Sequence, residues 1–249
     1  MPRPPTLRLV SAVLGMAALG ACSSAPPGVE IWDPHEAQNR EAHALNQRLD
    51  RSIAGRGGGP SLPTPVTLAA TNFANNAGAP SDTLNSLLQG RPGPAIENAL
   101  RFVVNTTLGL GGLFDMATPL GIAGRRTDFG ETLHVWGVRE GAYQELPFIG
   151  PSTERDTAGR VLDLALDPLN ALRPPGTRNR LILARAGTRA VANLGERATY
   201  AEAIDALITG SADSYARARL LYLQTRRFRL DGAAALADEV VDPFDPYVE

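Results

Sequence analysis

Cysteine and histidine, versatile side chains for nucleophilic, ligating and proton-transfer chemistry, are few and scattered along this chain. Cys22 is the single cysteine among 249 residues, so an intramolecular disulfide is impossible; the thiol is free, paired with another molecule or chemically occupied. Three histidines are present. His35 and His43 share one helical stretch, but no third ligand stands at helical spacing, so no metal centre is expected and both read as surface residues. His134 could be drawn with Asp128 or Asp163 as a hydrolase fragment, yet no serine sits on a strand-to-helix elbow beside it. G-x-S-x-G, H-E-x-x-H and paired cysteines are all absent. Asp128-Phe129-Gly130 repeats the magnesium-binding triplet of protein kinases without the glycine loop, lysine strand or His-Arg-Asp loop that give it meaning. Gly109-Leu110-Gly111 follows a helix rather than a strand, which removes the geometry of a phosphate cradle. The expectation is a protein with no catalytic residue, no metal and no cofactor.

What surrounds Cys22 gives it a role. Arg3 and Arg8 precede an apolar run from Leu9 to Leu19 and then small residues, the three-part pattern of a secretory signal over residues 1–21. Leu19-Gly20-Ala21-Cys22 resembles the lipobox at which bacterial signal peptides are cut after lipidation, so lipidation is the best account of a lone cysteine in an exported chain. Ser23 and Ser24 follow, with no aspartate of the kind that retains such lipoproteins at the inner membrane, and by that resemblance the destination is the outer membrane. Residues 22–32 read as a tether rich in Pro and Gly.

The most apolar stretch outside the N-terminus is Ile96 to Thr118. Ile96, Ala99, Leu100, Val103, Val104 and Thr107 fall on one helix face, and Glu97, Arg101 and Asn105 share the opposite stripe. The uncharged run from Phe102 to Phe114 covers about 20 Å at ~1.5 Å per residue, short of the ~20 residues that cross a bilayer. Such a run is a buried core helix, an interfacial segment or a re-entrant hairpin, and Gly109, Gly111 and Gly112 would supply the turn between two apolar arms.

Around this centre the sequence predicts a series of helices. Asp33 reads as an N-cap for a helix running to about Ile53. Shorter helices are expected over Val66–Asn76 and Asp82–Gln89, the second capped by Ser81, with Pro80 between them. Asp128 opens a helix to about Val138, Gly141 turns the chain, Tyr143–Ile149 is extended, and a Pro-Ser turn leads into a helix near Thr153. A short apolar helix over Val161–Leu172 is interrupted at Pro168. Arg173–Arg189 holds five arginines and no acid, with Arg178, Arg185 and Arg189 on one stripe as candidate membrane-surface contacts. Helices over Glu196–Thr209 and Asp213–Phe228 follow, and residues 231–249, with six acids and no base, read as a disordered acidic tail. A net charge of −2 and the complete absence of lysine argue against a nucleic-acid partner. A composition that is 43% hydrophobic is ample for a sizeable folded unit over residues 33–230.

Asn39-Arg40, Asn46, Leu49-Asp50, Asn72-Phe73, Asn85, Leu88-Gln89-Gly90, Arg101-Phe102, Asn105-Thr106 and Gly109 to Gly112 form a series that resembles the MlaA (VacJ) family of bacterial outer-membrane lipoproteins. DFGETLHVWGVREGAYQELPFIGPSTERDTAG, Asp128 to Gly159, resembles that family's most diagnostic block. With the lipobox, the resemblance covers almost the whole chain. It implies an all-α fold, a ring of mostly amphipathic helices embedded in the outer membrane around a central polar channel. Phospholipids that stray into the outer leaflet would pass through that channel to a soluble periplasmic phospholipid carrier, with a trimeric porin as membrane partner and no bond broken. The resemblance makes Glu97, Arg101 and Asn105 channel-lining candidates, and it anchors the protein in the bilayer from the periplasmic side through Cys22. The competing readings are a structural or adhesion lipoprotein that is merely tethered by its acyl chains and, third, a lipid-cleaving enzyme.

Overall fold

The computed structural model describes residues 28–54, 63–171 and 212–238, with isolated positions at 25, 26, 187 and 191. Cys22, the arginine stripe of Arg178, Arg185 and Arg189, and the helix expected over Glu196–Thr209 lie outside the described residues.

Helix α1 spans Glu36–Ala54. Asp33 does not cap it. Its carboxylate instead accepts from Asn39 Nδ2 at 2.8 Å and from Tyr215 and Arg219 of the last helix, long-range donors that outcompete the local backbone. Helix α2, Thr64–Leu88, merges the two helices that the sequence suggested and carries Pro80 in its interior. Proline usually breaks a helix because it clashes with, and cannot donate to, the preceding turn. Here the register is held on the far side: Ser81 Oγ and Asn85 Nδ2 both donate to Asp163, at 3.4 and 2.8 Å, and Asp82 Oδ1 accepts from Thr127 N at 3.1 Å. Tertiary bonds at one helical repeat thus override the local breaker. Gly90, in the left-handed region at φ 72°, turns the chain into α3, Pro92–Thr107, whose first helical residue is proline, as the helix start tolerates.

Asp128 caps α4, Phe129–Val135, by accepting from Glu131 N at 2.8 Å, and Trp136 ends it three residues earlier than expected. The extended segment is one arm of a two-stranded antiparallel hairpin, β1 (Tyr143–Leu146) and β2 (Gly150–Thr153), in the register Tyr143↔Thr153 to Leu146↔Gly150. Pro151 and Ser152 therefore lie in a strand, and the turn falls at Pro147–Ile149, where Phe148 has φ 66°. Thr153 caps α5, Glu154–Leu166, and a short α6, Pro168–Ala171, follows Asp167. The last helix, α7, runs Ser214–Asp238, so it extends into the stretch read as a tail.

The described residues are mostly helical, and the hairpin is the only departure among them from an all-α fold. α2 packs along α3, α4 along α5, α1 along β1 and α7 against β2. α1 reads the strand edge through asparagines one heptad apart. Asn39 exchanges bonds with Tyr143 O and Glu145 N at 3.1 and 2.9 Å, and Asn46 donates to Leu146 O at 3.0 Å. His43 between them is buried, not on the surface, because Ser214, Glu145 and the Tyr215 ring surround it. α4 and α5 approach so closely that a Cβ at Gly159 would lie 2.3 Å from Gly130 N. Arg226 of α7 ties this pair down, with two bonds to Asp128 at 2.9 and 2.7 Å and two to Asp156 at 2.9 Å.

Among the described residues, one buried apolar cluster joins Tyr143, Tyr215 and Leu223, flanked by Ile31 and Tyr222, and Phe129, Leu133 and Leu230 are buried as well. Much of what is buried is polar, including Asn76, Asn85, Gln89, Asn98 and Asn105, while many large apolar side chains face outward. This inverts the usual distribution of a soluble domain.

Candidate functional site

The inversion is sharpest on α3. Ile96, Leu100 and Val103 are 60%, 48% and 55% exposed, whereas Asn98 and Asn105 are 3% and 5% exposed. Helical periodicity sorts the residues into two faces, but it is the polar face that packs inward.

Against that inward face lies the chain that returns from the glycine turn. The second arm is not a helix: apart from a 3₁₀ turn at Thr118–Leu120 it is irregular up to Thr127, and side chains of α3 supply the partners its backbone lacks. Asn105 Oδ1 accepts from Met116 N and Ala117 N at 2.8 and 2.9 Å. Arg101 donates to Asp115 Oδ2 at 2.9 Å, to Thr118 Oγ1 at 3.1 Å and to Ile122 O. Asn98 exchanges a pair of bonds with the backbone of Arg125, at 2.8 and 2.9 Å, and Glu97 Oε2 accepts from Gly124 N at 3.2 Å.

The turn between the arms uses each glycine differently. Gly111 and Gly112 have φ of 73° and 93°, the left-handed region that side chains avoid. Gly109 is helical in sign, but a Cβ there would lie 2.2 Å from Phe114 O. From the other side, α2 holds the turn through Asn72 Nδ2 to Leu113 O at 3.1 Å and Asn76 Nδ2 to Thr106 Oγ1 at 3.0 Å.

Between α2, α3 and the returning arm is a polar cavity of about 150 Å³. Asn75, Asn76 and Asp82 line it from α2, Arg101 and Asn105 from α3, and Asp115, Arg125 and Arg126 from the returning arm. A larger cavity of about 720 Å³ adjoins it, reaching Asp128, Asp163, Arg226 and Phe228, and the two have Asn75, Asp82, Arg125 and Arg126 in common. Of the channel-lining candidates, Arg101 and Asn105 border the smaller cavity; Glu97 borders neither and sits on the exposed side of the arm. Asn75, Asn76, Asp82, Arg125 and Arg126 were not singled out by periodicity, because they come from a second helix and an irregular arm. The Asn-rich run Asn72–Asn76 on a helix is the sequence signal that marks them.

Burial pushes the Asp82 carboxyl up to about 6, only partly countered by the Thr127 amide and Arg126. Burial raises Asp163 as well. Asp115 goes the other way: burial opposes its charge, but bonds from Thr118, Arg101 and Asn105 outweigh it and hold the carboxyl at about 2. His134 is lowered by burial and by the Arg155 guanidinium, whose Nη1 lies 3.4 Å from His134 Nδ1. Asp231 and Glu131 act the other way, but the ring nitrogen Nδ1 is met by an arginine rather than by the serine or carboxylate a hydrolase uses. No cluster of metal-ligating side chains occurs among the described residues.

The model of the MlaA lipoprotein family matches residues 31–229. The intermembrane phospholipid transport system lipoprotein MlaA of Escherichia coli is 32% identical over 237 residues, covering 91% of this chain and 90% of its own. The Haemophilus influenzae lipoprotein of the same name is 32% identical over 170 residues, 64% of this chain and 68% of its own. A protein of Rickettsia typhi is 33% identical over 202 residues, 80% of this chain and 78% of its own. Among solved structures, one from work on the maintenance of bacterial outer membrane lipid asymmetry superposes with a TM-score of 0.64 at 31% identity, covering 80% of this chain and 98% of that one.

Proposed function

The chain belongs to the MlaA lipoprotein family, and from that premise we propose that it is an outer-membrane lipoprotein of an intermembrane phospholipid transport system. It removes mislocalised phospholipids from the outer leaflet and passes them along a polar channel to a soluble periplasmic carrier, so maintaining lipid asymmetry. A trimeric porin is its membrane partner, and the lipidated Cys22 anchors it from the periplasmic side.

The observation that carries this reading is the inside-out amphipathicity of α3 and its turn. Ile96, Leu100, Val103, Leu108, Leu110, Leu113, Phe114, Met116 and Leu120 are all exposed. Removing all of that exposed side-chain surface from water is worth on the order of 10 kcal/mol, at ~1.5–3 kcal/mol per fully buried large apolar side chain. A contiguous apolar surface of this kind calls for a membrane or a partner. No helix among the described residues is long and apolar enough to cross a bilayer. Attachment alone would not require such a surface, since the acyl chains of a lipoprotein already exceed the two that stable anchoring takes. Access of lipid to the polar cavities is what the surface adds: acyl chains stay in hydrocarbon while the head group moves along Arg101, Asn105 and the shared wall at Asn75, Asp82, Arg125 and Arg126. Arg178, Arg185 and Arg189, which lie outside the described residues, are proposed as contacts for anionic head groups at the membrane surface. No cofactor is needed and no bond is broken.

The test is to measure outer-leaflet phospholipid in cells with and without the protein. Accumulation on deletion, reversed by the intact gene, supports transport; no change supports the merely tethered lipoprotein. Fatty-acid release from labelled phospholipid by the purified protein would contradict the non-enzymatic reading.

A further inference from the structure

Helix α2 carries the marks of a hinge where it passes the two cavities. Pro80 has no N–H to give to the carbonyl one turn before it, and Gly78 stands two residues ahead of it. The Thr83 and Ser86 hydroxyls donate back to Ala79 O and Asp82 O at 2.8 and 2.7 Å, contacts of the kind that bend helices. Gly78 borders the larger cavity, Ala79 the smaller and Asp82 both, so a bend at this point moves the wall that the cavities share.

Two carboxylates with neutral partners hold this point in place. Asp82 Oδ1 accepts from Thr127 N at 3.1 Å, and Asp163 of α5 accepts from Ser81 Oγ, Asn85 Nδ2 and Phe129 N at 3.4, 2.8 and 3.0 Å. Together they fasten the turn after Pro80 to the end of the returning arm and to the start of α4. Most of the cations around the cavities are engaged by other acids: Arg101 by Asp115, Arg125 by Glu131, and Arg226 by Asp128 and Asp156. Arg126 attracts Asp82, Asp163 and Asp128 repel it, and Arg229 of α7 lines the larger cavity with it. Ionisation makes each carboxyl a stronger acceptor, but it also sets partly buried like charges against one another. The balance is unfavourable: burial pushes Asp82 up to about 6 and raises Asp163.

We propose that α2 is hinged at Gly78–Pro80 and latched by the protonated carboxyls of Asp82 and Asp163, and that loss of these protons releases the returning arm at Thr127 and opens the wall between the two cavities. The latch is closed in acid and freed toward neutral pH. A closed state that holds a proton more tightly than the open one gives up that advantage as pH rises through the closed-state pKa, so the open fraction grows with pH. The inference rests on the proposed phospholipid transport, and it names what regulates the passage.

Hydrogen exchange of the full-length lipidated protein in detergent is followed by mass spectrometry at about pH 5 and about pH 8, each rate divided by its intrinsic value. The peptide spanning Thr127–Phe129 loses protection at least about tenfold between the two, the factor for a carboxyl that titrates at about 6 when closed and ~3.9 when open. At both pH values it stays less protected than the strand Tyr143–Leu146, because the opening is local. Asp82→Asn, which keeps an oxygen for Thr127 N–H, removes most of the pH dependence, and Asp163→Asn reduces it independently. Three results overturn the latch: wild-type protection that is the same at both pH values, a dependence that survives both substitutions, or equal protection of the two segments, which is global unfolding. These rates are read without lipid, so each of those results leaves transport standing. Unchanged outer-leaflet phospholipid on deletion removes the transport reading instead and leaves the hinge without a passage to regulate.

Discussion

Gly112 presses on Asn76: a Cβ at Gly112 would fall 2.5 Å from Asn76 Nδ2 and 2.6 Å from its Cβ. The tip of the α3 hairpin is thereby keyed to α2 at the edge of the polar cavity. Two constraints coincide at this glycine, since its φ of 93° is itself hostile to a side chain.

Gly112→Val therefore splays the two arms, whereas Gly111→Ala, whose Cβ would meet nothing within 4 Å, bears only the left-handed backbone cost of roughly 1–2 kcal/mol. At equal abundance and normal acylation, Gly112→Val is expected to abolish removal of outer-leaflet phospholipid and Gly111→Ala to retain most of it. Normal removal by Gly112→Val would demote the turn to a dispensable surface loop.

The two faces of α3 make opposite predictions. Asn105→Leu leaves Met116 N and Ala117 N without their acceptor, at ~1–3 kcal/mol each, and thermal denaturation in detergent should show a clear loss of stability. Val103→Asp, on the exposed face, should fold in detergent with little change, yet bind bilayers more weakly by roughly 2–3 kcal/mol if that face meets hydrocarbon. An unstable Val103→Asp beside a stable Asn105→Leu would mean that the faces are reversed.

Stability should fall as pH rises through the Asp82 transition. Its folded pKa of about 6 exceeds the unfolded value near 3.9, so the folded state holds the proton more tightly; this contribution is complete below about pH 4 and is lost by about pH 7. Burial likewise raises Asp163, which acts in the same direction. Asp82→Asn keeps an oxygen for Thr127 N–H and removes the charge, so at pH 7 it should stabilise by roughly 1–2 kcal/mol and flatten the pH profile between 4 and 7. A variant with unchanged pH dependence in chemical denaturation would assign the titration elsewhere.

At the α4–α5 crossing, Gly159→Ala forces a methyl into the Gly130 backbone and should cost more than ~2 kcal/mol, because backbone rather than a flexible side chain blocks it. Gly93→Ala in the first turn of α3, where a Cβ is clear of other residues but precedes Pro94, whose ring crowds a helical Cβ before it, should gain nothing and stay within about 1 kcal/mol of the wild type. Arg226→Met, which leaves the buried Asp156 without its two-bond partner, belongs with the first of these, at about 3–5 kcal/mol. Melting temperatures of the three variants, measured side by side in one detergent, check the ranking.

Local chemistry made much of this molecule legible from its residues. The 3.6-residue period separated the two faces of α3, the helix start at Asp128 and the turn glycines followed from backbone preferences, and the motif series led to the family to which the chain belongs. Those signals act within a turn or two of helix, where sequence neighbours are also spatial neighbours. Tertiary structure decided what depends on distant partners. Pro80 stays inside a helix because Asp163 and Thr127 fix the turns after it; Asp33 abandons its cap for Tyr215 and Arg219; His43 is enclosed by α7. The same holds for the cavity, whose wall joins Asn75 and Asn76 of α2 to Arg125 and Arg126 of an irregular arm about 50 residues later. Periodicity could say that α3 has a polar side; only packing could say that this side faces inward, since an interior of amides and arginines is stable only when each finds a partner across the fold.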